Sequence, residues 1–185
     1  MDKPAEAYLP IPSKFGRHIL IWRDAPGLPK VIGIILARER RAIEEVLRER
    51  YPHAAAGKHP VMSALRDQLV AFLRGEAIRF SLDLLDFKLC SGFQRRVLRG
   101  EAKIPRGRVS TYGRLARKIR APGAARAVGT ALARNPFPLV IPCHRCVRED
   151  GRLGGFQGGQ PMKRALLEME GIDFDEVGRI KREFI

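Results

Sequence analysis

The chain has 185 residues, 45% of them hydrophobic and 30% charged, so it can bury a sizeable core. Lys and Arg number 35 against 20 Asp and Glu, and the net charge of +15 points to a polyanionic partner, nucleic acid before an anionic membrane. No apolar run approaches the ~18 residues of a membrane span. Met1–Pro12 lacks the basic-then-apolar order of a signal peptide. Three cysteines, Cys90, Cys143 and Cys146, fit a reducing compartment better than a disulfide scaffold.

In chain order, Gly16–Arg23 is a predicted strand, residues 25–29 are turn chemistry, and Val31–Ala37 is a β-branched run expected to form a buried strand. The two strands read as a hairpin with a long turn. Arg40–Arg50 is a predicted helix with Ile43, Val46 and Leu47 on one face, ended by Tyr51-Pro52. Val61–Arg74 is a second, with Val61, Leu65, Leu69 and Phe72 at helical spacing and Gly75 as its stop. Ile78–Leu85 is a strand or loop.

The second half changes character. Ser91–Arg99 is a short predicted helix carrying Phe93, Val97 and Leu98, broken by Ile104-Pro105-Arg106-Gly107. Ser110 or Thr111 can cap a helix running through Leu115 and Ile119. Residues 120–123 form a turn, and Ala124–Arg134 is a helix rich in small residues. Two short helices around a tight turn make a helix-turn-helix candidate, the alternative being an ordinary helical hairpin. An extended Pro-rich stretch follows Asn135, then a Gly-rich loop from Gly151 to Gly159, then a last helix from Pro161 to Gly171.

Charge divides unevenly, with net +4 over residues 1–85 and +11 over 86–185. Between Lys88 and Arg148 there are 15 basic side chains and one acid, Glu101. A solvated surface run is the bland reading of such a segment, and a nucleic-acid footprint is the sharper one.

The chemistry concentrates at Cys143, which ends an apolar run and is followed directly by His144 and Arg145. A thiolate is the reactive form of cysteine, and neighbouring cationic or imidazole groups favour it. On an extended chain adjacent side chains point to opposite sides, so His144 would act through a water or only after a turn. Two other readings stay open. Cys143 can be a small buried hydrophobe, or Cys143 and Cys146 can form a C-x-x-C zinc or redox pair.

Ile141-Pro142-Cys143-His144-Arg145, preceded by Asn135-Pro136 and followed by Gly158-Gly159 and Glu170-Gly171, resembles the active-site signature of the O6-alkylguanine-DNA alkyltransferases. The likeness runs from about Phe93 to Gly171 and takes in Ser110-Thr111-Tyr112 and Ala125-Arg126-Ala127-Val128-Gly129. The N-terminal half matches only in its predicted hairpin and helix order.

The resemblance implies an α+β fold of two domains. Residues 1–86 would form a structural, ribonuclease-H-like α/β domain. Residues 87–185 would form a mostly helical domain with the helix-turn-helix, DNA binding and alkyl acceptance. The implied activity is DNA repair by stoichiometric, self-inactivating transfer of an alkyl group from guanine O6, and from thymine O4 as an extension, to a cysteine. Cys143 matches the acceptor, His144 the histidine that deprotonates it through a water, and Glu170 the acid that orients the histidine. Without the motif, Glu170 would read as a solvated helix-end residue. Asn135 matches the hinge asparagine, and Tyr112 the tyrosine that assists nucleotide rotation and hydrogen-bonds the guanine. Arg126 matches the arginine that fills the gap in the stack, on a helix that enters the minor groove. Gln94 falls at a polar phosphate contact.

Three positions depart from the family pattern. Cys146 stands where an aliphatic residue is usual, either as a small hydrophobe or as a thiol able to bridge to Cys143 and block it. Phe156 replaces a tyrosine and Gln157 a small hydroxyl residue in the loop that lines the alkyl pocket. The N-terminal zinc ligands of some relatives are not evident, so no metal and no cofactor is expected. The expected partner is double-stranded DNA carrying O6-alkylguanine. The protein would be monomeric, free of membrane and cytoplasmic, nucleoid-associated in a prokaryote. The competing functions are a lesion-binding module like the alkyltransferase-like proteins, which lack the acceptor cysteine present here, and a Cys143/Cys146 redox or zinc protein.

Overall fold

The computed structural model of the protein describes residues 6–38 and 42–185. Met1–Ala5 and the helix start predicted at Arg40 lie outside them. The fold is mixed α/β, with six α-helices among the described residues. It divides into two compact units, Met1–Leu89 with Pro136–Val140, and Cys90–Asn135 with Ile141–Ile185. No helix among the described residues is long and apolar enough to cross a membrane.

In the first unit, β1 (Glu6–Ser13), β2 (Gly16–Arg23) and β3 (Lys30–Ile35) form an antiparallel meander, and β4 (Ala55–Ala56) pairs parallel to β1, giving the order β3-β2-β1-β4. Strand β1 was not foreseen, and prolines such as Pro10 and Pro12 are unusual inside a strand. Its backbone explains the tolerance. Tyr8 turns its carbonyl toward β4, where it accepts from Gly57 N at 3.2 Å. Pro10 and Pro12 continue that same alternate row, so the missing N–H groups fall on the β4 side and the β2 ladder stays whole. Pairing with β4 accordingly stops at Tyr8.

His18 to Trp22 of β2 are all buried, so the strand is covered on both faces. On one face Ile19 and Ile21 cluster with Ile43 and Leu47 of α1 (Ile43–Arg50). Helix α2 (Pro60–Leu73) packs on β1 and buries Met62, Leu65, Leu69, Phe72 and Leu73. His18, fully buried, accepts from Ala37 N through Nδ1 at 2.9 Å, so its Nε2 proton faces Ser13 Oγ, also at 2.9 Å. Burial holds its pKa down at about 4. The segment predicted between Ile78 and Leu85 is a loop that meets β3 at a Val31–Leu85 bridge and through Lys30 Nζ, which donates to Asp83 O at 2.6 Å. The extended stretch after Asn135 also belongs to this unit. Pro136 accepts from Ile34 N at 2.8 Å, and the buried Phe137 ring meets Phe87 edge-on.

The second unit holds α3 (Gly92–Glu101), β5 (Ser110–Thr111), α4 (Tyr112–Lys118), α5 (Ala125–Ala133), β6 (Cys146–Val147) and α6 (Gly159–Met169). Ser91 Oγ caps α3 and Thr111 Oγ1 caps α4, each accepting a backbone N–H at 3.2 Å. Val97, Leu98, Leu115, Ala116, Val128, Ala131 and Leu132 are the buried apolar side chains of α3, α4 and α5. Gly100 lets α3 approach α4, since a Cβ there would lie 2.7 Å from Ile119 Cγ2. The turn between α4 and α5 uses left-handed backbone at Arg120 and Gly123. Helix α6 begins at Gly159, two residues ahead of the predicted Pro161 start, and Gly171 (φ 83°) ends it. The tail beyond Gly171 packs as well: Ile172 and Ile180 cluster with Val109, Val147 and Leu167.

Candidate active site

The chain does not run extended through Cys143. Cys143–Arg145 is a single 3-10 turn, with Arg145 N donating to Pro142 O at 2.8 Å and Cys146 N to Cys143 O. This corrects the extended reading in favour of the turn. Short parallel pairing of Cys146-Val147 with Ser110-Thr111 then anchors the turn to the start of α4. The site lies wholly within the second unit.

Cys143 is 6% exposed. Burial pushes its thiol up to about 11, while a hydrogen bond from Asn135 and the charge of Lys163 pull the other way. Asn135, also buried, directs Nδ2 at Cys143 Sγ (3.3 Å) and at Ile141 O (3.4 Å). Its side chain therefore joins the last residue before the Pro-rich excursion to the point where the chain re-enters the unit.

His144 is fully buried, and its Nε2 lies 2.9 Å from Glu170 Oε1. The carboxylate holds the proton on Nε2, which leaves the Nδ1 lone pair as the basic one. Burial lowers the His144 pKa against the pull of Glu170, so the ring is a neutral base at neutral pH. Glu170, the C-cap of α6, also accepts Arg145 Nε and Nη2 in a bidentate pair, both at 2.8 Å. Burial alone would raise the Glu170 pKa, but bonds from His144 and Arg145 outweigh it and bring it to about 2. Arg145 completes its own bonding at Ile104 O, 2.7 Å away. The sequence marked Arg145 only as part of a motif; here it is the clamp that fixes the orienting acid.

Tyr112 opens α4 and is partly buried between two glycines. A Cβ on Gly154 would sit 2.7 Å from its hydroxyl, and one on Gly129 of α5 would sit 3.8 Å from its ring. Burial raises its pKa, and both Cys143 and Cys146 add to the rise, so the phenol stays protonated beside the thiols. Arg126 is exposed on the first turn of α5, with Arg114, Arg117, Lys118 and Arg120 exposed on α4 and the following turn. Gln94 Nε2 donates to Ala131 O (3.2 Å) and Arg134 O (3.0 Å), tying α3 to the end of α5. Among the pocket candidates, Phe156 stands edge-on to His144 at 6.3 Å. Gln157 Nε2 reaches the carbonyls of Ala133 and Asn135. Cys146 is fully buried with its thiol pushed far up by burial.

Two buried ionisable residues here were not foreseen. Lys163, inside α6, donates from Nζ to Cys146 O (2.6 Å) and Gly155 O (3.3 Å). Glu101, the last residue of α3, is fully buried, and among the described residues neither carboxylate oxygen has a hydrogen-bond partner. Lys163 falls on the inner face of an otherwise amphipathic helix, a placement only the packing reveals. Among the described residues, no three His, Cys, Asp or Glu side chains converge on a metal-binding geometry.

Residues 92–172 match the family model of the 6-O-methylguanine DNA methyltransferase DNA-binding domain. A methylated-DNA–protein-cysteine methyltransferase of Methanothermobacter thermautotrophicus is 50% identical over 111 residues, covering 60% of this chain and 62% of that protein. The chain thus spans about three fifths of the length of that relative, and the same share of several mycobacterial ones. A protein of the same name from Methanosarcina mazei is 34% identical over 155 residues, 82% of this chain and 89% of that one. The crystal structure of Mycobacterium tuberculosis OGT in complex with DNA superimposes with a TM-score of 0.71 at 35% identity, covering 89% of this chain and 93% of that one. With a likeness running through both units and a buried cysteine–histidine–glutamate arrangement in the second, this chain belongs to the methylated-DNA–protein-cysteine methyltransferase family.

Proposed function

We propose that the chain repairs duplex DNA by one stoichiometric transfer of an alkyl group from O6 of guanine, and from O4 of thymine as a secondary substrate, to Cys143. The observation that carries this reading is the Cys143 thiol beside Asn135, next in the chain to a neutral His144 that Glu170 orients at 2.9 Å. A thiol near pKa 11 is about one part in ten thousand ionised at neutral pH, so the sulfur needs a base at the moment of reaction. His144 Nδ1 supplies it, taking the proton through one water as in the family. Sulfur then attacks the alkyl carbon; the S–C bond forms as the C–O6 bond breaks, and the electron pair goes to the guanine ring. The thiol proton ends, in net terms, on ring N1 of the restored guanine, whose O6 is again a carbonyl. The protonated Tyr112 hydroxyl offsets the charge developing on the ring. Cys143 keeps the alkyl group, so each chain acts once.

The target carbon is out of reach inside a stacked duplex, so the nucleotide is flipped out. Arg126 fills the vacated space while the exposed arginines and lysines of α4 and the turn hold phosphates. Gln94 contributes by fixing the end of α5. Phe156, Gln157 and Cys146 line the alkyl pocket. We read residues 1–86 as a ribonuclease-H-like structural domain, on its strand order, and the acting species as a monomer.

Duplex DNA carrying O6-methylguanine, followed by intact-mass measurement, tests the reading. The expected product is the chain with one added methylene mass, located at Cys143 and absent from Cys143→Ala. Lesion binding without that gain would support the binding-module alternative. An adduct that survives Cys143→Ala would refute the assignment of the acceptor.

A further inference from the structure

We propose that Glu101 is a positioning residue for the alkyl transfer: when neutral it lets negative charge build on Cys143 Sγ, and when ionised it opposes that charge. The inference rests on the proposed transfer at Cys143, but the geometry behind it is independent of DNA.

Glu101 is fully buried, and neither of its oxygens is hydrogen-bonded among the described residues. An anion in that condition lacks both water and donors. It also closes α3, at the negative end of the helix dipole. Helix α3 packs against the Cys143–Arg145 turn, which brings the carboxyl into the electrostatic range of both active-site thiols.

The groups that face Glu101 come from every neighbouring element. Lys118 of α4, Arg145 of the turn and Lys163 of α6 favour its ionised form. Cys143, Cys146 and Tyr112 would each, if ionised, disfavour it. Helix α5, also packed on α3, buries only Val128, Ala131 and Leu132. Burial wins over the three cations and holds the acid up at about 8.

Lys163 decides what this does to the sulfur. Its Nζ is bonded to the carbonyls of Cys146 and Gly155, not to Glu101. Its charge lowers the Cys143 pKa, while that of Glu101 raises it. Burial lowers the Lys163 pKa, against the pull of the Cys146, Cys143 and Glu101 charges. While Lys163 is protonated, neutral Glu101 leaves its cation unopposed at Sγ. Ionised Glu101 cancels part of that field and makes the thiolate harder to form.

The test compares wild type with Glu101→Gln and Glu101→Leu across pH, in two assays. One is alkylation of Cys143 by iodoacetamide, which needs no DNA; sulfur displaces iodide and the thiol proton goes to solvent. The other is methyl transfer from O6-methylguanine duplex. Intact mass is read in both, and the readout is the ratio of variant to wild-type rate. We expect the ratio to rise roughly tenfold between about pH 7 and about pH 9.5, the effect of one pKa unit of mutual repulsion. Both variants should behave alike, because charge and not hydrogen bonding is at issue. A ratio that stays constant over this range overturns the role of Glu101, whether it is near one or far above it. Absence of methyl transfer by the wild-type chain would instead refute the proposed function, and the iodoacetamide ratio would still decide Glu101. Should Glu101→Gln fail to fold, Glu101→Leu gives the same ratio without a buried amide.

Discussion

Replacing Glu170 by Gln removes the charge that three N–H groups converge on while keeping the side-chain volume. In the folded protein the carboxylate accepts from His144 Nε2 at 2.9 Å and from Arg145 Nε and Nη2 at 2.8 Å, and its side chain is 2% exposed. Those bonds bring its pKa from 4.5 to about 2. A shift of that size corresponds to about 3 kcal/mol of folding stability at neutral pH. Because the folded-state value is depressed, the stabilisation is complete above about pH 4.5 and is lost as pH falls toward about 2. Urea unfolding of both proteins at a series of pH values measures it. The variant should be about 3 kcal/mol less stable at neutral pH, and the gap should nearly close toward pH 2, where the wild-type acid is already half neutral. Methyl transfer should fall at least roughly a hundredfold, because nothing then fixes the His144 tautomer. A stability gap that is the same at neutral pH and at about pH 2 would refute the three-bond account of Glu170.

His18→Gln addresses the first unit. The folded-state pKa is lowered from 6.5 to about 4, so wild type should lose about 3 kcal/mol as pH falls from about 6.5 to about 4, and the variant should lack that slope in acid urea titrations. Gly100→Ala places a Cβ 2.7 Å from Ile119 Cγ2 and 3.1 Å from Leu115 Cδ1; calorimetry should show a loss of about 1–3 kcal/mol, despite the better helix propensity of alanine. Asn135→Ala removes the donor at 3.3 Å from Sγ, so the Cys143 thiol should move still higher and iodoacetamide should react roughly twofold to tenfold more slowly at about pH 8.

Local rules carried much of the outline. The hairpin of β2 and β3, the helix faces and the Thr111 cap follow from β-branched runs, apolar spacing and a hydroxyl in front of a helix, all settled within a few residues. Strand β1 escaped because the Pro10/Pro12 pattern is harmful or harmless depending on which edge receives the missing donors, and that edge is chosen by pairing with β2. The tail beyond Gly171 escaped because its apolar residues are few and find partners far back in the chain, at Val109 and Val147.

The site divides along the same line. By itself the sequence marked Cys143 with His144 beside it and the basic stretch around them, because residue types and their order are written in the chain, while Glu170 entered only through the family resemblance. Only the tertiary structure turned the Cys143–Arg145 segment, made Arg145 the clamp on Glu170, and drew Lys163 and Glu101 into the interior of the second unit. The physical reason is that a carboxylate in water is an anion whatever its neighbours in sequence. Whether it stays one is decided by burial and by the absence of donors, which belong to the fold.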